Sequence, residues 1–131
     1  MIDVSCEVFD YVSKNLRLVF PGITVIGESV DTPSRFPCVT IDEVRNVPSH
    51  LDSAKTVKYA NVTYRVQVFA SDEGKRAKAR KIYAEVDRLL MDIGLICKSY
   101  VPTPAVYHAQ VYEIRASYKA IVDRNGVVYR G

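Results

Sequence analysis

The chain has 131 residues, 48% hydrophobic and 25% charged, with a formal net charge of +3. This balance excludes wholesale disorder and suits a single domain, residues 1–131, able to bury its own core. The charge is too small by itself to mark a dedicated nucleic-acid binder, and three scattered cysteines without C-x-x-C spacing, Cys6, Cys38 and Cys97, exclude a disulfide framework or a zinc site. They are expected to be reduced, in helices or strands, packing as small hydrophobes. The N-terminal stretch has no basic start, apolar run and small-residue cleavage site, and no apolar segment approaches the roughly 20 residues that span a bilayer. The expectation is a soluble protein used without export and with no membrane partner.

From Asp3 to Val19, Val4, Val8, Tyr11, Val12, Leu16 and Val19 recur at helical spacing, with Asp3 or Ser5 available to cap the start. Pro21 and Gly22 stop this helix. Ile23–Ile26 then reads as a short edge strand, and the polar connection that follows is a poor strand because of Pro33. Phe36–Val44 alternates again. Val39 and Ile41 share one side, Cys38, Thr40 and Asp42 the other, and Pro37 stands at the entry, where a missing donor matters least. Asn46–Thr56 carries Pro48 and little periodicity, and it reads as a long loop. A connection of that length is usually functional, so Asn46, Pro48, His50, Leu51, Asp52 and Lys55 form a candidate arm for contacting a neighbouring subunit or partner.

The strongest pattern runs from Val57 to Gly94. Ala60, Val62, Tyr64, Val66, Val68 and Ala70 share one parity; Asn61, Thr63, Arg65 and Gln67 occupy the other, and only Phe69 breaks the polar side. Successive strand side chains point to opposite faces, so this is a strand with one buried face and one wetter face. The period then changes. Ala79, Ile82, Tyr83, Val86, Leu89, Leu90 and Ile93 form one stripe on a long helix, which Ser71 could cap, Asp72 and Glu73 suit at its positive end, and Gly94 could close. Five cations, Lys75, Arg76, Lys78, Arg80 and Lys81, crowd its early turns. They read either as a solvated helix face or as a patch for phosphates or an acidic partner.

Leu95–Tyr100 is apolar enough for a strand, which Pro102 and Pro104 interrupt with a bend or an edge. From Val106 to Asp123, Tyr112, Ile114, Ala116, Tyr118, Ala120 and Val122 alternate with Glu113, Arg115, Ser117 and Lys119. Asn125 and Gly126 then sit between two apolar runs, a strong hairpin signal that folds Val127–Arg130 back as a last strand. The fold class is α+β: a mainly antiparallel twisted sheet with two amphipathic helices packed on one face.

Chemistry is sparsely signalled. The two histidines, His50 and His108, have no carboxylate at a ligand spacing, Ser49 beside His50 does not present a nucleophile to a base, and neither phosphate-cradling glycine motif occurs. The expectation is no enzyme, no metal and no cofactor. Nine tyrosines and no tryptophan suit an interface or half-buried sheet packing, with Tyr59, Tyr107 and Tyr129 the expected surface members.

The order of these elements resembles that of the tail terminator proteins of long-tailed bacteriophages. A diffuse pattern across almost the whole chain carries the resemblance: Pro37, Val39 and Ile41; Val66, Val68 and Phe69 before the helix; Ile93, Gly94 and Leu95 at its end; and Arg115 with Tyr118 in the last long strand. The resemblance implies a structural virion-assembly protein, present in the host cytoplasm during assembly and then at the head-tail junction. It implies a homo-hexameric ring, formed on the tube end if not before, that caps the head-proximal end of the tail tube and stops its polymerisation. Its implied partners are other copies of itself, the major tail tube protein and a head-completion protein, with DNA passing through the lumen without specific binding. A head-completion or neck connector and a small nucleic-acid-binding module remain open alternatives.

Overall fold

In the computed structural model, residues 4–30, 33, 35–51, 57–71, 74–104, 111–123 and 128–130 are described. In chain order the elements are α1 (Ser5–Val19), β1 (Thr24–Ile26), β2 (Cys38–Leu51), β3 (Val57–Ser71), α2 (Lys75–Asp92), β4 (Ile96–Pro104), β5 (Val111–Asp123) and β6 (Val128–Arg130). The fold is α+β. One sheet runs β1-β2-β3-β5-β4, with β6 also on β5. Among the described residues only the β1–β2 pair is parallel.

The alternation in β3 and β5 decides the core. Ala60, Val62, Tyr64, Val66, Val68 and Ala70 on β3 and Tyr112, Ile114, Ala116, Tyr118, Ala120 and Val122 on β5 are all buried in one cluster. The antiparallel register places these two sets opposite one another pair by pair, from Ala60 beside Val122 to Ala70 beside Tyr112. Both helices lay their stripes on this face: Val8, Val12 and Leu16 from α1, and Ala79, Ile82, Val86, Leu89 and Leu90 from α2. Val19 stands outside the stripe and is exposed, because α1 ends there. The stop falls where Pro21 and Gly22 predict it, and Ile23 N–H donates back to the Phe20 carbonyl at 3.1 Å.

The end of α2 depends on Gly94. Its φ of 97° is left-handed, and two bonds close the helix: Gly94 N–H to Met91 O at 3.1 Å and Leu95 N–H to Leu90 O at 3.0 Å. This is the Schellman arrangement, and its usual apolar contact is supplied by Leu90 and Leu95, both buried. The start of α2 differs from expectation. Ser71 ends β3, and Gly74, also left-handed, holds the N-cap position without a side-chain cap.

Three other expectations are corrected. Asn46–Thr56 is not one long loop, because β2 continues to Leu51 and pairs with β3 as far as Leu51 beside Val57. Asn46, Pro48, His50 and Leu51 are therefore strand residues, while Asp52 and Lys55 lie outside the described residues. β1 covers only Cys38–Thr40, so the rest of β2 is a sheet edge, where a proline is tolerated if its missing donor faces outward. The same reasoning applies to β4, the opposite edge: Pro102 and Pro104 stay in register with Ile114 and Tyr112 instead of ending the strand. Both edges carry an irregularity, between Glu43 and Arg45 on β2 and between Cys97 and Ser99 on β4. Finally, Cys6 is exposed on α1, whereas Cys38 is buried; all three cysteines are free.

Candidate functional site

The sequence describes the sheet face without helices as the wetter one, broken only by Phe69. It is wet at one end only. Cys38, Phe69 and Val111 form a second buried cluster there, with Ile26, Val30 and Phe36 packed against it. The chain between β1 and β2 thus crosses over this end of the face. Gln67, 4% exposed, secures the crossing: its Nε2 donates to Val30 O and to Glu113 Oε2, both at 3.0 Å, and its Oε1 accepts from Val30 N–H at 3.0 Å and Thr40 Oγ1 at 2.9 Å. Glu113 is 3% exposed, and the same Oε2 also accepts from Arg115 Nε at 2.5 Å, while Oε1 accepts from the Arg115 guanidinium at 3.3 Å. A buried carboxylate is costly unless paired and hydrogen-bonded, and here it is both. Ser29 adds a second tie, donating from its N–H and hydroxyl to Asp42 Oδ2 at 3.2 and 3.0 Å.

Beyond this network the face opens and its charge changes. Arg45, Thr63 and Lys119 stand side by side across β2, β3 and β5, and Lys98 on β4 lines the same shallow groove of about 680 Å³. Arg65 and Arg115 line an adjoining depression, and Ser117 borders both. All five cations are exposed. Arg115 is paired with Glu113, whereas Arg45, Arg65, Lys98 and Lys119 have no ion-pair partner among the described residues.

The cationic run on α2 is arranged differently. Arg76 and Arg80, four residues apart, occupy one flank of the helix, and Lys78 and Lys81, three apart, occupy another; all four are exposed. The Arg76 guanidinium lies 5.7 Å from the centre of the Tyr112 ring, a cation–π placement. Lys75 begins the helix. Consecutive positions on a helix radiate around it, so this sequence cluster does not make a single flat patch.

Between α2 and the β4–β5 pair lies a polar cluster. Tyr118 donates to Asp87 Oδ1 at 2.5 Å, and its hydroxyl lies 2.7 Å from that of Tyr83, which is 3.6 Å from Cys97 Sγ. Burial first, then these bonds for Tyr118, push both phenols above the ordinary tyrosine range. They keep their protons and join helix to sheet. The Tyr83 ring also packs on Tyr100 at 4.8 Å. Among the described residues no group of three or more metal-ligating side chains converges; His50 lies in β2, and His108 is outside the described residues. No described helix is long and apolar enough to cross a membrane.

Sequence reasoning passed over the basic groove because its residues are scattered from Arg45 to Lys119 and meet only through strand register. Parity placed Arg65, Arg115 and Lys119 on the right side. It gave Arg45 no side, because the strand was read only to Val44; the irregularity after Glu43 shifts the register by one residue and turns Arg45 to the open face.

No protein-family model matches this chain, and no curated protein matches it. Among solved structures it is similar to one described as the structure of the bacteriophage SPP1 gp17 protein, with 18% identity, coverage of 86% of this chain and 89% of that chain, and a TM-score of 0.39.

Proposed function

We propose that this chain is a structural virion-assembly protein of a long-tailed bacteriophage, a tail terminator that caps the head-proximal end of the tail tube and offers a surface for head joining. The observation that carries the reading is the sequence pattern shared with that family, and its residues sit at joints of the fold. Pro37 enters β2, and its carbonyl accepts from Thr24 N–H at 3.1 Å. Val66, Val68 and Phe69 fill the last buried part of β3 ahead of α2. Ile93, Gly94 and Leu95 terminate α2, and Tyr118 on β5 reaches back to Asp87 on that helix. A pattern that specifies joints specifies a framework, so the function is assigned to the framework's outer surfaces and not to a reaction centre. On this reading the chain acts as a ring of six copies, formed or completed on the tube end, with the tube protein on one side and a head-completion protein on the other.

The test is removal of the protein from an otherwise complete phage. With the upper stop gone, tube subunits continue to add, and micrographs should show filled heads beside tails of abnormal, mostly excessive length. A head-completion protein is the second reading, and its loss leaves tails of uniform length that never join heads. Uniform unattached tails reject the terminator, and normal infectious particles reject both.

A further inference from the structure

We infer that the open face of the sheet, opposite the helices, binds the phosphate backbone of double-stranded nucleic acid without reading its sequence. Five exposed cations, Arg45, Arg65, Lys98, Arg115 and Lys119, gather there from four strands, against Asp42 directly across from Arg65 and Glu113 beside Phe69, with Asp123 farther along the same face across from Tyr59. The two nearest the cations are already engaged, Asp42 by Ser29 and Glu113 by Gln67 and Arg115. The face therefore presents net positive charge although the whole chain carries only +3.

The shape of the surface selects the partner. The groove is shallow and spans β2 to β4, three strand spacings or roughly 14 Å, comparable with the roughly 12 Å width of a DNA major groove. Cations at its two sides can thus meet phosphates on either side of a groove. Between them lie Asn61, Thr63 and Ser117, amide and hydroxyl groups of the kind that bond phosphate oxygens. A protein partner is normally anchored by aromatic or aliphatic side chains in a central pocket; here the exposed Val44, Val47 and Val101 stand on the outer strands β2 and β4, and the half-buried Tyr59 and Ile121 of the central strands do not line the groove. The charges act in this way whatever assembly the chain joins, so the inference and the assembly role fail separately.

Anisotropy of a labelled mixed-sequence duplex, titrated with the purified chain over a salt series, tests it. If Arg45, Arg65, Lys98 and Lys119 each neutralise one phosphate, the logarithmic salt slope is about −3.6, and a fourfold rise from roughly 50 to 200 mM weakens binding about 150-fold. The pair Arg65→Ala with Lys119→Ala should flatten the slope by about 1.8. Arg45→Gln with Lys98→Gln, on the two flanking strands, should do the same, so a folding defect in one pair leaves the other to decide. Arg76→Ala with Arg80→Ala on α2 should keep the parent slope. No binding at the lowest salt overturns the inference, as does an equal loss from the α2 pair. A polyglutamate peptide bound more tightly than the duplex at equal salt overturns it in favour of an acidic protein segment.

Discussion

The two faces of the sheet arise from the same alternation of side chains, yet burial is distributed along them in opposite ways. Under the helices every row is closed, from Val122 and Ala60 at one end to Tyr112 and Ala70 at the other. On the other face the cover runs from the apolar cluster of Cys38, Phe69 and Val111, through the Thr40, Gln67 and Glu113 network, to the row in which Arg45 and Lys119 are exposed on either side of half-buried Thr63. Alternation states which side a residue faces. What covers that side is decided by distant chain, here α1 and α2 on one face and the segment bearing Val30 and Phe36 on part of the other.

The sharpest way to break this contrast is to place a carboxylate on each face of β3. Val66→Asp buries an unpaired charge at a position 0% exposed and should cost on the order of 5 kcal/mol, enough to unfold a domain of ordinary stability. Thr63→Asp, on the open face between Arg45 and Lys119, should cost less than about 1 kcal/mol. Thermal unfolding of the two variants reads the difference; similar melting would mean that the helix-side face is not a closed core.

A smaller effect is expected from Gln67→Leu, which keeps the volume roughly constant but strands Thr40, Glu113 and the Val30 backbone. Leaving buried partners unsatisfied should cost roughly 2–4 kcal/mol. The loss should appear in denaturant midpoints together with faster hydrogen exchange at the Val30 amide. Unchanged exchange there would show that the crossing segment holds without the glutamine.

The mildest probe is alkaline pH. Burial pushes the Cys38 thiol up to about 11 from an unfolded value of 9.0. The protonated thiol is the form favoured by folding, so its contribution is complete below about pH 9 and is lost as the pH rises towards 11. Tyr83 and Tyr118 shift in the same direction and extend the loss to higher pH. Denaturation midpoints should fall across that window, and Cys38→Ala should reduce the fall between pH 9 and 11; an identical profile in the variant assigns the sensitivity to the tyrosines alone.

Much of the framework is legible in the sequence because the informative residues are close together in it. The parity of Val62 to Ala70, the stripe from Ala79 to Leu90 and the stop at Gly94 all have local causes, and the structure follows each. The course of β2 beyond Arg45 is not legible. Asn46 to Leu51 is polar and contains a proline because its outer side faces no strand among the described residues, and only the register with β3 reveals it as extended chain. The burial of Glu113 is hidden for the same reason, since its cover comes from Gln67 and the Val30 segment, far away in sequence. Of the two candidate surfaces, the run on α2 stood out because its cations are adjacent in sequence. The open-face groove depends on four strands meeting in register.

The prolines on the sheet's two borders, Pro48 on one and Pro102 and Pro104 on the other, each remove a backbone donor where a further strand would need one, and the irregularities at Val44 and Lys98 spoil the pleat beside them. Such borders resist the self-templated zipping by which exposed strands grow into fibres. Any association of copies along these borders would then have to be made by side chains, contact by contact, and not by an open-ended backbone ladder.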